Sequence, residues 1–108
     1  YFICLSRHEG FGIAPIEAMS AGLTPVLSDI PPFQHLITQS GVGQLLKAGV
    51  DDGVANLLEL HAQGPYAYAH RREMTQRFAS QYDWQHIVGQ YADIYAGLAG
   101  PTSKTRYA

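Results

Sequence analysis

Apolar and polar positions along the 108 residues of this chain follow two regimes. The first half carries short, unbroken apolar runs separated by glycine and proline breaks, and the second carries apolar residues at helical spacing. Tyr1 to Leu5 is continuous rather than alternating, the pattern of a parallel strand covered on both faces. Ile13 to Ala21 is rich in alanine and predicts a helix. Pro15 suits its first turn, where a missing N–H costs nothing, and Gly22 stands where a terminating glycine belongs. Thr24 to Ser28 predicts a second short strand, which Asp29-Ile30-Pro31-Pro32 breaks. Phe33 to Thr38 predicts one or two helical turns, and Val42 to Lys47 a third strand between Gly41 and Gly49.

From Asp51 onward the spacing is helical. Asp51 or Asp52 is expected to cap a helix carrying Val54, Leu57 and Leu58 on one face, which Gly64-Pro65 stops. Tyr66 to Gln81 predicts a second helix, with Met74 and Phe78 four apart. Asp83 reads as the N-cap of a last helix, whose stripe of Ile87, Val88, Tyr91, Ile94, Tyr95 and Leu98 ends at Gly100-Pro101. Trp84, Tyr91 and Tyr95 are read first as core packing. Three strands alternating with helices, then three helices, imply an α/β fold with a short parallel sheet and right-handed crossovers. The sequence holds no internal repeat or low-complexity segment.

Chemistry concentrates in one run, Glu9-Gly10-Phe11-Gly12-Ile13-Ala14-Pro15-Ile16-Glu17-Ala18-Met19. Glycines at 10 and 12 let the backbone turn sharply and approach a ligand closely. The helix that follows offers unpaired N–H groups to an anion. One carboxylate then sits in the turn, and the other about one turn into the helix. A phosphate cradle flanked by two acceptors suits a phosphorylated sugar or a nucleotide.

Other readings of these residues fit less well. The spacing of Glu9 and Glu17 means nothing without the glycines between them and the strand before them. A solvated Glu9, with Glu17 merely facing water, is the bland alternative. Gly10-x-Gly12 could open a dinucleotide fingerprint, with Asp29 as the ribose acid, but Pro15 replaces the third glycine. A glycosidase pair would use both carboxylates and leave the anion-friendly helix end idle. His8 precedes Glu9, yet position 12 is glycine and no zinc-binding His-Glu-x-x-His forms. His8 is either a donor to a substrate hydroxyl or an exposed loop histidine. Arg7 either balances diphosphate charge or is solvated.

Composition narrows the class. The chain is 46% apolar and 15% charged, an ordinary globular balance. At this length it buries about 65% of its unfolded surface, enough for one modest core. A net charge of −2 leaves no basic footprint for nucleic acid. The single cysteine, Cys4, reads as a small buried hydrophobe, and no disulfide can form within the chain. No apolar stretch approaches the ~20 residues of a membrane span.

Ser6-Arg7-His8-Glu9-Gly10-Phe11-Gly12, Pro15-Ile16-Glu17-Ala18-Met19, Gly22, Pro25-Val26 and Ser28-Asp29 together resemble the retaining glycosyltransferases of family 4. Tyr82-Asp83-Trp84 through Tyr95 resembles the closing helices of their donor-binding domain. The last helix of that domain crosses back to the other domain, so part of the aromatic stripe is expected to lack its partner here and be exposed. The resemblance implies part of a GT-B fold, in which two Rossmann-like domains face a cleft. Residues 1–98 would form the C-terminal part of the nucleotide-sugar-binding domain, a partial three-layer unit, and 99–108 a flexible tail. It also implies roles. Glu9 contacts the transferred sugar and is the catalytic candidate, and Glu17 holds the ribose hydroxyls. Gly10, Phe11, Gly12 and Ile13 present backbone N–H groups to the sugar and diphosphate, with His8 beside them. Transfer proceeds with retention, needs no protein nucleophile and no metal, and relies on preorganised donors at the leaving group.

The wording around the motif is similar to mannosyltransferases of bacterial exopolysaccharide synthesis. The expected donor is therefore a nucleotide-sugar, with GDP-mannose as the narrower choice, and the expected acceptor a glycan that is polyprenol-linked. The family's diphosphate-clamping basic pair, its base-binding strands and its N-terminal acceptor domain have no counterpart here, so the chain reads as a piece of a longer protein. It is expected to transfer no sugar alone. The alternatives are a non-catalytic nucleotide-binding module of dinucleotide type and a folded unit with no activity of its own. Expected localisation is cytoplasmic, with the whole protein peripheral at the inner membrane face.

Overall fold

A computed structural model of the chain describes residues 1–47 and 50–99. The elements run β1 (Phe2–Cys4), α1 (Ile13–Ser20), β2 (Pro25–Ser28), α2 (Pro31–Ser40), β3 (Gln44–Leu46), α3 (Val50–Ala62), α4 (Pro65–Ser80) and α5 (Trp84–Ala99). The strands form one parallel sheet in the order β1-β2-β3, with Cys4 beside Leu27 and Leu27 beside Leu45. This is the α/β architecture expected from the sequence, a partial Rossmann-like unit.

Alternation along the strands splits the sheet into two faces. Phe2, Cys4, Leu27 and Leu45 face a core built from Ile16 and Met19 of α1, Phe33 and Leu36 of α2, and Ala79 of α4. Val26 and Leu46 face the other way, where α3 lays Gly53 against Leu46. On that second face β1 is largely uncovered, with Ile3 55% and Leu5 58% exposed. The expectation of a first strand covered on both faces therefore holds for one face only. Gly43 enters β3 at φ +103°, where a Cβ would collide with the Pro25 carbonyl oxygen. Only glycine lets the third strand approach the second this closely.

Several boundaries shift for identifiable reasons. Pro31 and Pro32, read as a strand breaker, also start α2, because proline fits the first turn. The helix consequently runs through Ser40 to Gly41, longer than the one or two turns expected. Pro65 likewise opens α4 after stopping α3. Since α3 begins at Val50, Asp51 and Asp52 lie inside its first turn and do not precede it as caps. Asp83 does stand just before α5, and its carbonyl accepts the Ile87 N–H at 3.0 Å.

α5 overturns the reading as core packing and agrees with the expected exposure of its stripe. Trp84, Val88, Tyr91, Ile94, Tyr95 and Leu98 are all exposed, and among the described residues α5 buries none of its own. Its apolar stripe is not core packing here. The radius of gyration is 17.9 Å, against about 13 Å for a compact unit of this size. Of the expected tail, Ala99 is the last residue of α5, and residues 100–108 lie outside the described residues.

Candidate functional site

Parallel strands place their carboxyl ends, and the loops that leave them, along one edge of the sheet. Ser6 to Phe11 is the loop from β1 into α1, and it is pinned at its start. The Ser28 hydroxyl, at the end of β2, donates to the Ser6 carbonyl. The Ser6 hydroxyl in turn donates to Glu9 Oε1 at 2.9 Å and lies 3.3 Å from Cys4 Sγ. Ser6 and Ser28 carried no role of their own in the sequence. Serines at or just past the ends of two strands of a parallel sheet were the available signal.

Gly12 is the N-cap of α1, held at φ +83° with no side-chain cap. The first intrahelical bond runs from Ile16 N–H to the Gly12 carbonyl at 3.4 Å. Pro15 has no N–H to offer. The N–H groups of Ile13 and Ala14 therefore stand at the helix end without intrahelical partners, at the positive pole of the helix dipole. A Cβ at Gly12 would rest 3.5 Å from the Phe33 ring, while a Cβ at Gly10 would meet nothing. Gly12 answers a backbone requirement. Gly10 leaves open space beside the loop.

The remaining candidates fall around this end. His8 and Glu9 are exposed on the loop. Phe11 sets its ring edge-on against Tyr82, centroids 5.7 Å apart, so its side chain anchors the loop to the end of α4. Gly10 and Phe11 border a pocket of about 220 Å³ with Pro31 and His35. Glu17, exposed on α1, lines a separate groove of about 480 Å³ with Ser20, Gln76, Asp83 and Trp84. One turn thus gathers Glu9 with residues 10–13, and Glu17 follows one helical turn later in its own groove. Asp29 accepts from Gln34 Nε2 at 2.8 Å and ties β2 to α2, a structural use. Pro15 is buried within α1 where a dinucleotide fingerprint needs its third glycine. Among the described residues no cluster of His, Cys, Asp or Glu is arranged to hold a metal.

The Glycosyl transferases group 1 family matches residues 1–81. The chain is 47% identical, over its whole length, to the GDP-mannose:cellobiosyl-diphosphopolyprenol alpha-mannosyltransferase of Xanthomonas campestris, of which it covers 28%. It is 39% identical over 93% of its length to the enzyme of the same name from Komagataeibacter xylinus, covering 26% of it. It is 30% identical, again over 93%, to the phosphatidyl-myo-inositol mannosyltransferase of Mycobacterium tuberculosis, covering 28% of that protein. No solved structure matches the chain. The chain thus spans little more than a quarter of these relatives. With the turn, the helix end and both glutamates inside the matched region, the chain belongs to the group 1 glycosyl transferase family.

Proposed function

We propose that this chain is the C-terminal part of the donor-binding domain of a retaining glycosyltransferase, which moves mannose from GDP-mannose onto a polyprenol-linked glycan. One observation carries the reading. The Glu9–Glu17 run folds as a glycine turn and an uncapped helix end at the carboxyl edge of a parallel sheet. The names of the Xanthomonas and Komagataeibacter relatives support the donor and acceptor.

In this reading the Ile13 and Ala14 N–H groups meet the diphosphate, and their charge stabilisation grows as the leaving group departs. Glu9, steadied by Ser6, orients a hydroxyl of the transferred sugar. Glu17 accepts from the vicinal diol of the ribose, which a carboxylate with several lone pairs can do at once. His8 stands beside the sugar as a further donor. The whole protein works at the cytoplasmic face of the membrane, where a polyprenol-linked acceptor is presented.

The test is transfer by the full-length protein. Labelled GDP-mannose, UDP-glucose and GDP-glucose are offered with a diphosphopolyprenol-linked disaccharide, with and without EDTA. Lipid-extractable label from GDP-mannose alone, unchanged by EDTA, supports the proposal in full. Transfer only from another donor refutes the mannosyl assignment. No transfer from any of them, by folded protein, refutes the activity.

A further inference from the structure

Arg71 of α4 is 8% exposed, and among the described residues no carboxylate pairs with it, the ion pair found there being Arg77 with Glu73. A guanidinium stays charged at every relevant pH, and buried charge is normally matched by an opposite charge. Among the described residues Arg71 has only neutral acceptors. Its Nη1 donates to Gln63 Oε1 at 2.9 Å, and its Nη2 reaches the Tyr1 hydroxyl at 3.5 Å, the long limit of a hydrogen bond. The same hydroxyl is 3.2 Å from His61 Nδ1. Arg71 Nε is buried and has no acceptor among the described residues. The Tyr68 ring, 6.0 Å from the guanidinium carbon, softens this deficit without balancing the charge.

Tyr1 and Tyr68, which both touch Arg71, line with His61 a cleft of about 450 Å³. Tyr1 precedes β1, so the cleft lies at the amino edge of the sheet. Tyr82, which holds the glycine turn, is eleven residues along from Arg71, or about 16 Å at helical rise. Diffusible ligands of open α/β sheets bind at the opposite, carboxyl edge. Tyr1, which leads into β1, lines this cleft. The relatives are nearly four times as long as the matched region, which leaves ample chain to occupy it.

We propose that Arg71 is a carboxylate-binding site, filled by an Asp or Glu of the segment that precedes Tyr1 in the full-length protein. That carboxylate takes the place now held weakly by the Tyr1 hydroxyl and meets the guanidinium through two of its donors. The segment lies against Tyr68 and His61, so the cleft is the seat that joins this unit to the rest of its domain. The site is independent of the donor chemistry proposed above.

A photo-cross-linking benzoylphenylalanine in place of Tyr68, in the full-length protein, reports what occupies the cleft. Capture of a peptide from before Tyr1 that contains Asp or Glu is expected, and capture of any other peptide overturns the proposal. Arg71→Gln is expected to lower the melting temperature by about 6 °C or more. Neutralising the acid of the captured peptide should cost a similar amount, and the double variant little more than either single one. Additive losses overturn the pairing. Inorganic phosphate that raises the melting temperature of the unsubstituted protein, but not of Arg71→Gln, assigns the site to a free anion and also overturns it.

Discussion

The Ser6 hydroxyl holds the Glu9 carboxylate at 2.9 Å, and Ser6 is itself fixed by the Ser28 hydroxyl. The catalytic candidate is therefore positioned by the ends of two strands and not by its loop alone. Because Glu9 is exposed, this tether contributes little to folding. Ser6→Ala in the full-length enzyme should leave the melting temperature within about 1 °C and lower kcat about fivefold, the rate equivalent of about 1 kcal/mol of lost orientation. Binding of bare GDP should not change. A kcat equal to that of the unsubstituted enzyme would show that the tether does not matter in the working site.

Glu17 and Glu9 should separate by ligand. Glu17 faces a groove of its own one helical turn beyond the glycine loop. Glu17→Gln is expected to weaken GDP binding about tenfold, as loss of a charged acceptor implies. Glu9→Gln should leave GDP binding unchanged while lowering kcat with GDP-mannose. Calorimetric titration of both variants with GDP and GDP-mannose distinguishes them, and two silent variants would remove both residues from the site.

Much of this was legible in the sequence because the strands are unbroken apolar runs and the motif carries its own turn chemistry. The parallel sheet, the glycine turn, Pro15 within α1 and Asp83 before α5 follow from local rules. What stayed hidden depends on tertiary partners. Proline is a stop signal and a helix starter alike, so α2 and α4 began earlier than expected. The Ser28–Ser6–Glu9 relay joins residues twenty-two and three apart, and no periodicity announces it. Nothing marks Arg71, in an arginine pair on a polar helix, as the one that is buried.

The two motif glycines should behave oppositely toward stability. Gly12 is held at φ +83°, so Gly12→Ala imposes left-handed strain of about 1–2 kcal/mol although the Phe33 ring leaves room for the methyl group. A fall of about 4 °C in melting temperature is expected. Gly10 faces open space without positive φ, so Gly10→Ala should be neutral to folding. Any loss of transfer by a fully folded Gly10→Ala enzyme then reports a ligand that comes close to the loop. If it retains both full stability and full kcat/KM, close approach at residue 10 is excluded.

α5 ends the described chain with an apolar face and no neighbour to cover it. Tyr91 and Tyr95 stack on each other at 6.5 Å, and Val88, Ile94 and Leu98 extend the same stripe into solvent, with Leu98 81% exposed. Exposed apolar area of this extent favours association. Prepared alone, the 108-residue chain should therefore self-associate at micromolar concentration. Paired Tyr91→Ser and Leu98→Glu substitutions should shift it toward monomer. They should not unfold the α/β unit, because α5 contributes no side chain to the core. Sedimentation velocity and a thermal melt on both proteins decide the matter. A monomeric parent chain with a single sharp transition would mean that α5 finds cover on its own unit in solution.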